Sequence, residues 1–182
     1  MRAAAFALTA LATGLGLGLV TASWSLYSSG SSTVVGNPGW REWRLAGQPV
    51  TASYAAGFFL SAGTVPPAAA HARSFFRNRD DDGNALSGSC VVVVKGEVSG
   101  LRWWSLALAD DNGNLVAGQP VLAAPGAVTG ADGSLVVRIA RRAQPGNWLR
   151  PSSEGRYSIY FMAGSPQEGL PLQLPSLKQE GC

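Results

Sequence analysis

The chain opens with a long run of residues that carry no charge, and this run most constrains how the protein can fold. It reads AAAFALTALATGLGLGLVTASWSLY and covers Ala3–Tyr27. About 20 consecutive apolar residues in a helix span the ~30 Å hydrocarbon layer of a bilayer. Trp24 and Tyr27 then fall where an interfacial aromatic belt would lie. The run therefore predicts a transmembrane helix over residues 1–27.

Two alternatives stay open for this segment, a retained anchor and a cleaved signal peptide. Val20-Thr21-Ala22 resembles a small-residue cleavage site that follows a basic residue and an apolar stretch. The stretch is longer than the ~7–15 residues typical of a signal-peptide core, which favours the anchor. Arg2 and the terminal amine flank one end, whereas the other end has no positive charge before Arg41. This bias predicts a single-pass protein of the cytoplasmic membrane, with its N-terminus inside and its C-terminal domain periplasmic or extracellular.

Small residues recur along one face of the predicted helix. Ala10, Gly14, Gly18 and Ala22 are spaced four residues apart. This spacing lets two transmembrane backbones approach closely, and it indicates a homodimer through that face. The alternative, which we favour, is an alanine- and glycine-rich segment in which the spacing arises by chance.

Charge separates this segment from the rest of the chain. Every Asp, Glu and Lys, and every Arg other than Arg2, lies from Arg41 onward. Residues 28–39 are rich in glycine and serine and are predicted to be a flexible tether. Residues 40–182 are long enough to form one domain with its own core. The net charge is +3, and the arginines form no basic stripe with interleaved aromatics, which argues against nucleic-acid binding.

The chain has two cysteines, Cys90 and Cys182. An even number of cysteines in an exported chain favours a disulfide, for which one pairing exists. Closing a loop of about 90 residues would stabilise the fold by roughly 3–5 kcal/mol through loop entropy. The alternative is two free thiols. Metal binding is not favoured, because the paired cysteine spacing and the histidine partners of zinc sites are missing.

Strand signals dominate the predicted domain, after one helix over Pro49–Ser61. Glycine turns at Asp82-Gly83, Asn112-Gly113 and Asp132-Gly133 supply the positive φ angles that tight hairpins need. We therefore predict a mainly β fold, a jelly-roll-like antiparallel β-sandwich with one short helix. The β-branched or alternating runs that predict its strands are Arg73–Arg79, Cys90–Lys95, Arg102–Ala109, Ser134–Ala140 and Arg156–Met162.

The most acidic of these turns has part of a calcium-loop pattern. Asn78, Asp80 and Asp82 fit the first three ligand positions of an EF-hand loop, and Gly83 fits the glycine at position six. Ser89 stands where the bidentate glutamate is needed, and flanking helices are missing. We favour a solvated turn whose carboxylates accept local backbone hydrogen bonds, and a weak calcium site is the alternative. No other cofactor is predicted.

Four segments, in this order, resemble the bacterial domain-of-unknown-function family 1214 in its short, membrane-anchored form. They are FFRNRDDDGNALSGSCVVVVKG, LRWWSLALADDNGNLV, ADGSLVVRIAR, and PGNWLRP followed by GRYSIYFM. The resemblance covers roughly residues 40–182. It implies an all-β, jelly-roll-like domain, and it brings no reaction and no catalytic residue. This chain departs from the family in one respect. The family has a tyrosine in the strand after the cysteine, and valine stands there in this chain, in the run CVVVV that begins at Cys90.

The candidate ligand-binding residues are Arg102, Trp103, Trp104 and Trp148, which lie in these family-like segments. Neighbouring residues on a strand face opposite sides, so Trp103 and Trp104 cannot both fill one core face. One alternative buries both in different layers. The other leaves one of them free to meet a partner or a sugar-like ligand.

Little in the sequence favours catalysis. His71 is the single histidine, and no nucleophile elbow accompanies it. Nearly all carboxylates lie in predicted turns, where solvent keeps their pKa values ordinary. We favour a membrane-anchored, exported, non-catalytic domain that binds a glycan, a lipid or a protein. The alternatives are an exported hydrolase or isomerase that uses Asp, Glu and Arg with a weak metal at residues 78–83, and an assembly factor that acts through the membrane helix.

Overall fold

The computed structural model describes residues 2–30, 32–35, 39–43, 45–47, 53–61, 66–68, 70–110, 113–115, 121–164 and 172–182. Within these ranges the chain forms two α-helices, ten strands and one 3-10 turn at Ala124–Gly126. The helices and strands are α1 (Arg2–Ser29), β1 (Ser32–Val35), β2 (Trp40–Trp43), α2 (Ser53–Ser61), β3 (Ala72–Arg77), β4 (Val91–Glu97), β5 (Trp104–Asp110), β6 (Val121–Ala123), β7 (Ser134–Ile139), β8 (Asn147–Leu149), β9 (Tyr157–Gly164) and β10 (Ser176–Glu180).

The N-terminal helix α1 is long and apolar enough, over Arg2–Ser28, to cross a membrane. Its length and composition suit either an anchor or a signal sequence, the two alternatives that the sequence left open. Its large apolar side chains are exposed from Phe6 to Trp24 and at Tyr27, whereas Leu26 is half-buried against α2. Ala10, Gly14 and Gly18 line a shallow groove on its surface. The homodimer through this face stays a prediction.

The strands form two sheets, which confirms the mainly β fold. The six-stranded sheet has the order β1-β2-β3-β9-β5-β6, and the four-stranded sheet has the order β10-β4-β7-β8. Neighbouring strands are antiparallel except β7 and β8, which run parallel with Ile139 beside Leu149. This parallel pair is a difference from the antiparallel sheets that we predicted. The jelly-roll connectivity stays a prediction.

Alternating apolar residues from both sheets form one core between them. On β5, Trp104, Leu106 and Leu108 are at most 3% exposed, as the period-two pattern predicted. The strand β4 is buried on both faces, which the continuous valine run also predicted. Its outward-facing Val93 lies between Lys178 and Arg138 in register, and the aliphatic stems of such side chains can cover an apolar neighbour. The largest fully buried side chains are Trp40, Phe75, Phe161, Leu86, Leu106, Leu108, Leu135, Ile139, Leu149, Ile159, Leu177 and Val92.

The glycines of all three predicted turns have positive φ angles. Gly83, Gly113 and Gly133 have φ angles of 87°, 81° and 79°. Of these three turns, only the second connects two strands that pair with each other, β5 and β6. The first leads from β3 to β4 and the third from β6 to β7, so at these turns the chain passes from one sheet to the other. Each turn is closed by a single isolated bridge, at Arg79↔Ala85, Ala109↔Leu115 and Thr129↔Leu135.

One element boundary differs from the prediction. The segment predicted as a tether, residues 28–39, contains β1, and Ser32–Val35 pairs with Trp40–Trp43 across an antiparallel ladder. The sheet therefore begins close to the end of α1. The helix predicted over Pro49–Ser61 is present over Ser53–Ser61, and residues 48–52 lie outside the described residues.

The turn at Gly133 provides a test of the fold. We expect Gly133→Ala to lower the free energy of unfolding by roughly 1–3 kcal/mol, because the new Cβ would overlap Ser99 and the positive φ would be strained. Urea denaturation measures this change. Gly126→Ala is the matched control, because no atom lies within 4 Å of its new Cβ. Equal stability of the two variants would contradict the turn geometry.

Candidate functional site

The acidic segment that follows β3 fastens the last strand to the rest of the domain. Both carboxylate oxygens of Asp81 accept from the Leu177 backbone N–H at 3.1 Å, and the Asp81 N–H donates to the Leu177 carbonyl at 2.9 Å. The buried Arg77 guanidinium on β3 donates to the Asp81 carboxylate at 2.7 Å. We call Arg77, Asp81 and Leu177 the Asp81 clamp. Because β3 and β10 belong to different sheets, the Asp81 clamp ties the two sheets together.

Asp80 supports the same strand from a buried position. It is 2% exposed, and its carboxylate accepts from the Asn84 backbone N–H at 2.7 Å, from the Asn84 side chain at 3.1 Å and from Gln179 of β10 at 3.4 Å. Burial raises the pKa of Asp80, but the hydrogen bonds from Asn84 and Gln179 outweigh it and hold the pKa below its ordinary value. The Asp80 carboxylate accepts the local backbone hydrogen bond that we predicted for this turn. The prediction of a solvated turn is wrong for Asp80, because β10 covers it.

The three candidate calcium ligands do not share one environment. Asn78 and Asp82 are exposed, whereas the carboxylate of Asp80 is turned to Asn84 and Gln179. Within the described ranges, no group of three or more His, Cys, Asp or Glu side chains is placed to hold a metal ion. A calcium ion bound by Asp80 would have to displace hydrogen bonds that support β10.

A disulfide joins Cys90 to Cys182, with their Cα atoms 4.1 Å apart. Cys90 immediately precedes β4 and Cys182 follows β10, and these two strands pair from Ser176↔Lys95 to Glu180↔Val91. This is the pairing that we predicted. Disulfides persist in oxidising compartments, so the bond is consistent with export.

The adjacent tryptophans Trp103, which immediately precedes β5, and Trp104, the first residue of β5, lie in two different environments. Trp104 is 3% exposed and packs in the core against Phe161, with the ring centroids 6.5 Å apart. Trp103 is 39% exposed and lies against Gly164, where a Cβ atom would come within 2.6 Å of the indole nitrogen. The alternative that buries both rings is therefore wrong.

The four candidate ligand-binding residues do not line one surface. Arg102 is exposed in the segment before β5, and Trp104 is in the core. Trp148 lies on β8 in the other sheet, where its indole N–H donates to the Ala140 carbonyl at 2.8 Å. Trp103 alone among them combines a large aromatic surface with exposure.

A polar cleft of about 780 Å³ lies beside the disulfide, and we had not predicted it. Cys90 and the residues around it form one wall, and the segments that follow β7 and β8 form the other. Two hydrogen bonds hold the rim of the cleft. The Gly88 backbone N–H donates to the Gly155 carbonyl at 3.0 Å, and the Ser87 hydroxyl donates to the Glu154 carbonyl at 3.0 Å. The charged residues of the cleft are Arg141, Arg142, Arg150 and Glu154.

Three arginines against one glutamate leave the cleft with an excess of positive charge. Arg141 forms an ion pair with Glu154. In the described part of the chain, the side chains of Arg142 and Arg150 have no hydrogen-bond or ion-pair partner. A guanidinium offers several donors in a planar fork that matches the oxygens of a carboxylate or a phosphate. The cleft is therefore suited to binding an anion.

The parallel pairing of β7 and β8 explains why the sequence did not reveal this cleft. Arg141 and Arg142 follow β7, and Arg150 follows β8. Parallel strands end at the same edge of a sheet, so their following residues meet there. Antiparallel strands, which we had predicted, would have placed them at opposite edges. The adjacent pair Arg141-Arg142 was the one available signal.

The buried carboxylate of Asp80 gives a pH-dependent test. Its pKa is lower in the folded protein than in the unfolded chain, so its stabilisation is present above the unfolded value of about 4 and is lost as the pH falls through the folded value. We expect Asp80→Asn to cost about 1–3 kcal/mol of unfolding free energy at pH 7, and less as the pH falls below 4. Urea denaturation between pH 3 and pH 7 measures the loss of unfolding free energy at each pH. The exposed Asp82→Asn is the control, and a deficit that does not change with pH would contradict the account.

Comparison with solved structures shows the same fold in a larger protein. The VPA0106 protein from Vibrio parahaemolyticus matches with a TM-score of 0.56 and 17% identity, over 71% of this chain and 35% of that one. An uncharacterized protein from Burkholderia cenocepacia matches with a TM-score of 0.45 and 16% identity, over 60% of this chain and 29% of that one. This chain thus spans about a third of the length of these structures. No curated protein matches its sequence.

The sequence itself matches a protein family over the core of the domain. The family is described as a protein of unknown function (DUF1214), and the match covers residues 71–168, more than half of the chain. These residues include β3 through β9, the strands that supply most of the core and the arginines of the cleft. The chain therefore belongs to the DUF1214 family of proteins of unknown function.

Proposed function

We propose that this protein is a membrane-anchored, exported domain that binds an anionic ligand in the arginine-lined cleft. The observation that carries the proposal is the position of Arg142 and Arg150. Both lie at a concave site, and neither guanidinium is neutralised by a carboxylate among the described residues. Cationic groups gathered in a cleft concentrate anions there.

Arg141 has a different role from the other two arginines. Its ion pair with Glu154 joins the end of β7 to the segment before β9, so it supports the shape of the cleft. Arg142 and Arg150 are then the residues that bind the ligand. The ligand class is a phosphate or carboxylate group, as carried by anionic glycans and other envelope polymers.

A binding role, rather than a reaction, is supported by the groups available for proton transfer. Glu154, the carboxylate of the cleft, is exposed and paired with Arg141. His71 is exposed in the turn before β3, far along the chain from the cleft residues. The hydrolase alternative needs Asp80, Arg102 and Glu97 in one pocket. Asp80 instead faces β10, and Glu97 accepts a hydrogen bond from Ser99 at 2.8 Å.

Three further features support the cellular placement. The helix α1 is apolar and long enough to anchor the domain. The disulfide suits an oxidising compartment on the far side of the cytoplasmic membrane. The absence of positive charge after α1 until Arg41 supports a cytoplasmic N-terminus.

Charge reversal tests the cleft. We expect Arg142→Glu to weaken binding of inorganic pyrophosphate or of oligogalacturonate by about tenfold or more, because a charge-assisted hydrogen bond contributes about 1.5–3 kcal/mol and repulsion replaces it. Isothermal titration calorimetry on the detergent-purified chain measures the dissociation constants, and the two probes separate phosphate from carboxylate recognition.

The matched control is Lys95→Glu, which makes the same change of net charge at an exposed position outside the cleft. It is expected to leave both dissociation constants within about twofold. Failure of the wild-type protein to bind either anion would refute the proposal. An equal loss in the two variants would show that net charge, not the cleft, attracts the anion.

A further inference from the structure

The face of the six-stranded sheet that points away from the core carries a stacked aromatic cluster. Trp43, Phe76 and Tyr160 stack on one another, with ring centroids 4.4 Å apart for Trp43 and Phe76 and 5.9 Å apart for the other two pairs. Phe59 of α2 packs edge-on against Trp43 at 6.0 Å. The helix α2 therefore covers part of this cluster.

A cavity of about 100 Å³ lies between α2 and this face of the sheet. Its walls are almost entirely apolar and include Trp43, Phe59, Tyr160 and Met162. Ser74 is the exception. It is 9% exposed, and its buried hydroxyl has no hydrogen-bond partner among the residues that the structure describes. Since a buried hydroxyl without a partner is costly, the cavity is suited to an apolar molecule that brings one hydrogen-bond acceptor.

The helix α2, which covers the cavity, packs against the end of the apolar helix α1. A Cβ atom on Gly57 of α2 would lie 3.1 Å from the Leu26 side chain, and the Phe58 ring lies over Gly30. A helix of 28 residues is about 42 Å long, which exceeds the ~30 Å hydrocarbon layer, so the last turns of α1 would lie among lipid headgroups. The helix α2, packed against those turns, would then lie at the bilayer surface.

The exposed side of α2 is also apolar. Tyr54 is 54% exposed and Leu60 is 69% exposed. The exposed side of α2 thus extends the apolar surface of α1, and Phe59 of the same helix lines the cavity beneath it. A helix with large apolar side chains beside a membrane anchor typically inserts them into the interface. A lipid is the ligand that would reach the cavity along such an apolar surface.

We propose that this cavity binds part of an acyl chain of a membrane lipid, and that the Ser74 hydroxyl donates a hydrogen bond to an ester or carboxyl oxygen of that lipid. An apolar cavity of about 150 Å³ can hold benzene, so about 100 Å³ accommodates a few methylene groups. The rest of the chain lies along the exposed side of α2. This site is separate from the arginine-lined cleft, and it depends only on the membrane placement of α1.

Photo-crosslinking of the full chain in nanodiscs tests this proposal. The probe is phosphatidylcholine with a diazirine next to the ester group of one acyl chain, and mass spectrometry maps the adducts after irradiation. We expect adducts on α1 and also on Trp43 and Met162, which belong to the sheet. Ser74→Leu fills the cavity, and it is expected to lower the yield of sheet adducts at least fivefold while adducts on α1 are unchanged.

Two variants make the result decisive. Ser158→Leu adds the same side chain on the same face of β9 as Tyr160 and Met162, outside the cavity lining, and it should keep the wild-type adducts. Ser74→Ala keeps the cavity open without the hydroxyl, and it should lower the sheet adducts severalfold even if Ser74→Leu does not fold. Adducts confined to α1 and α2, equal sheet adducts in the Ser74 variants, or no adducts on α1 would each overturn the proposal. The first two results leave the anion-binding function standing, and the third also removes the anchor.

Discussion

The Asp81 clamp is the interaction on which the arrangement of the two sheets depends. The strand β10 lies at an edge, where its far-side backbone groups have no strand to pair with. Asp81 supplies both a backbone group and a carboxylate to Leu177, and the buried Arg77 of the opposite sheet holds that carboxylate in place. Three other contacts also hold β10 in place. They are the hydrogen bond from Gln179 to Asp80, the hydrogen bond from the Trp40 indole to the Pro175 carbonyl at 2.7 Å, and the disulfide. With β10 held, β4 becomes an interior strand, and its valines are buried on both faces.

The sequence predicts the individual strands and turns well, because each of them depends on residues that are neighbours in the chain. Alternation on β5 and β9, the continuous valines of β4 and the positive φ angles at Gly83 and Gly133 follow from side-chain period and glycine geometry. Which sheet a strand joins does not follow from them, because a turn at Gly83 can return the chain to the same sheet or send it to the other one. For that reason the burial of Asp80 under β10 and the parallel pairing that assembles the cleft were not predictable. The disulfide was predictable because only one pairing of two cysteines exists.

The two proposed sites lie on different parts of the sandwich and use different chemistry. The arginine-lined cleft borders the four-stranded sheet beside Cys90, where β7 and β8 end. The apolar cavity lies on the outer face of the six-stranded sheet beneath α2. Bound to a bilayer by α1, the domain would present its apolar side to lipid and its cationic cleft to soluble or polymeric anions. Such an arrangement fits a protein that connects a membrane surface with an anionic component outside it.

Hydrogen exchange at the Leu177 amide, measured after reduction of the disulfide, tests directly whether the Asp81 clamp holds β10. The reduced wild-type protein is expected to keep this amide protected, because the clamp acts without the disulfide. Reduced Asp81→Asn is expected to exchange it about tenfold faster or more, as the loss of a charge-assisted hydrogen bond predicts. If the reduced wild-type protein exchanged Leu177 as fast as the variant, the disulfide alone would hold the strand, and the clamp would not be the constraint described above.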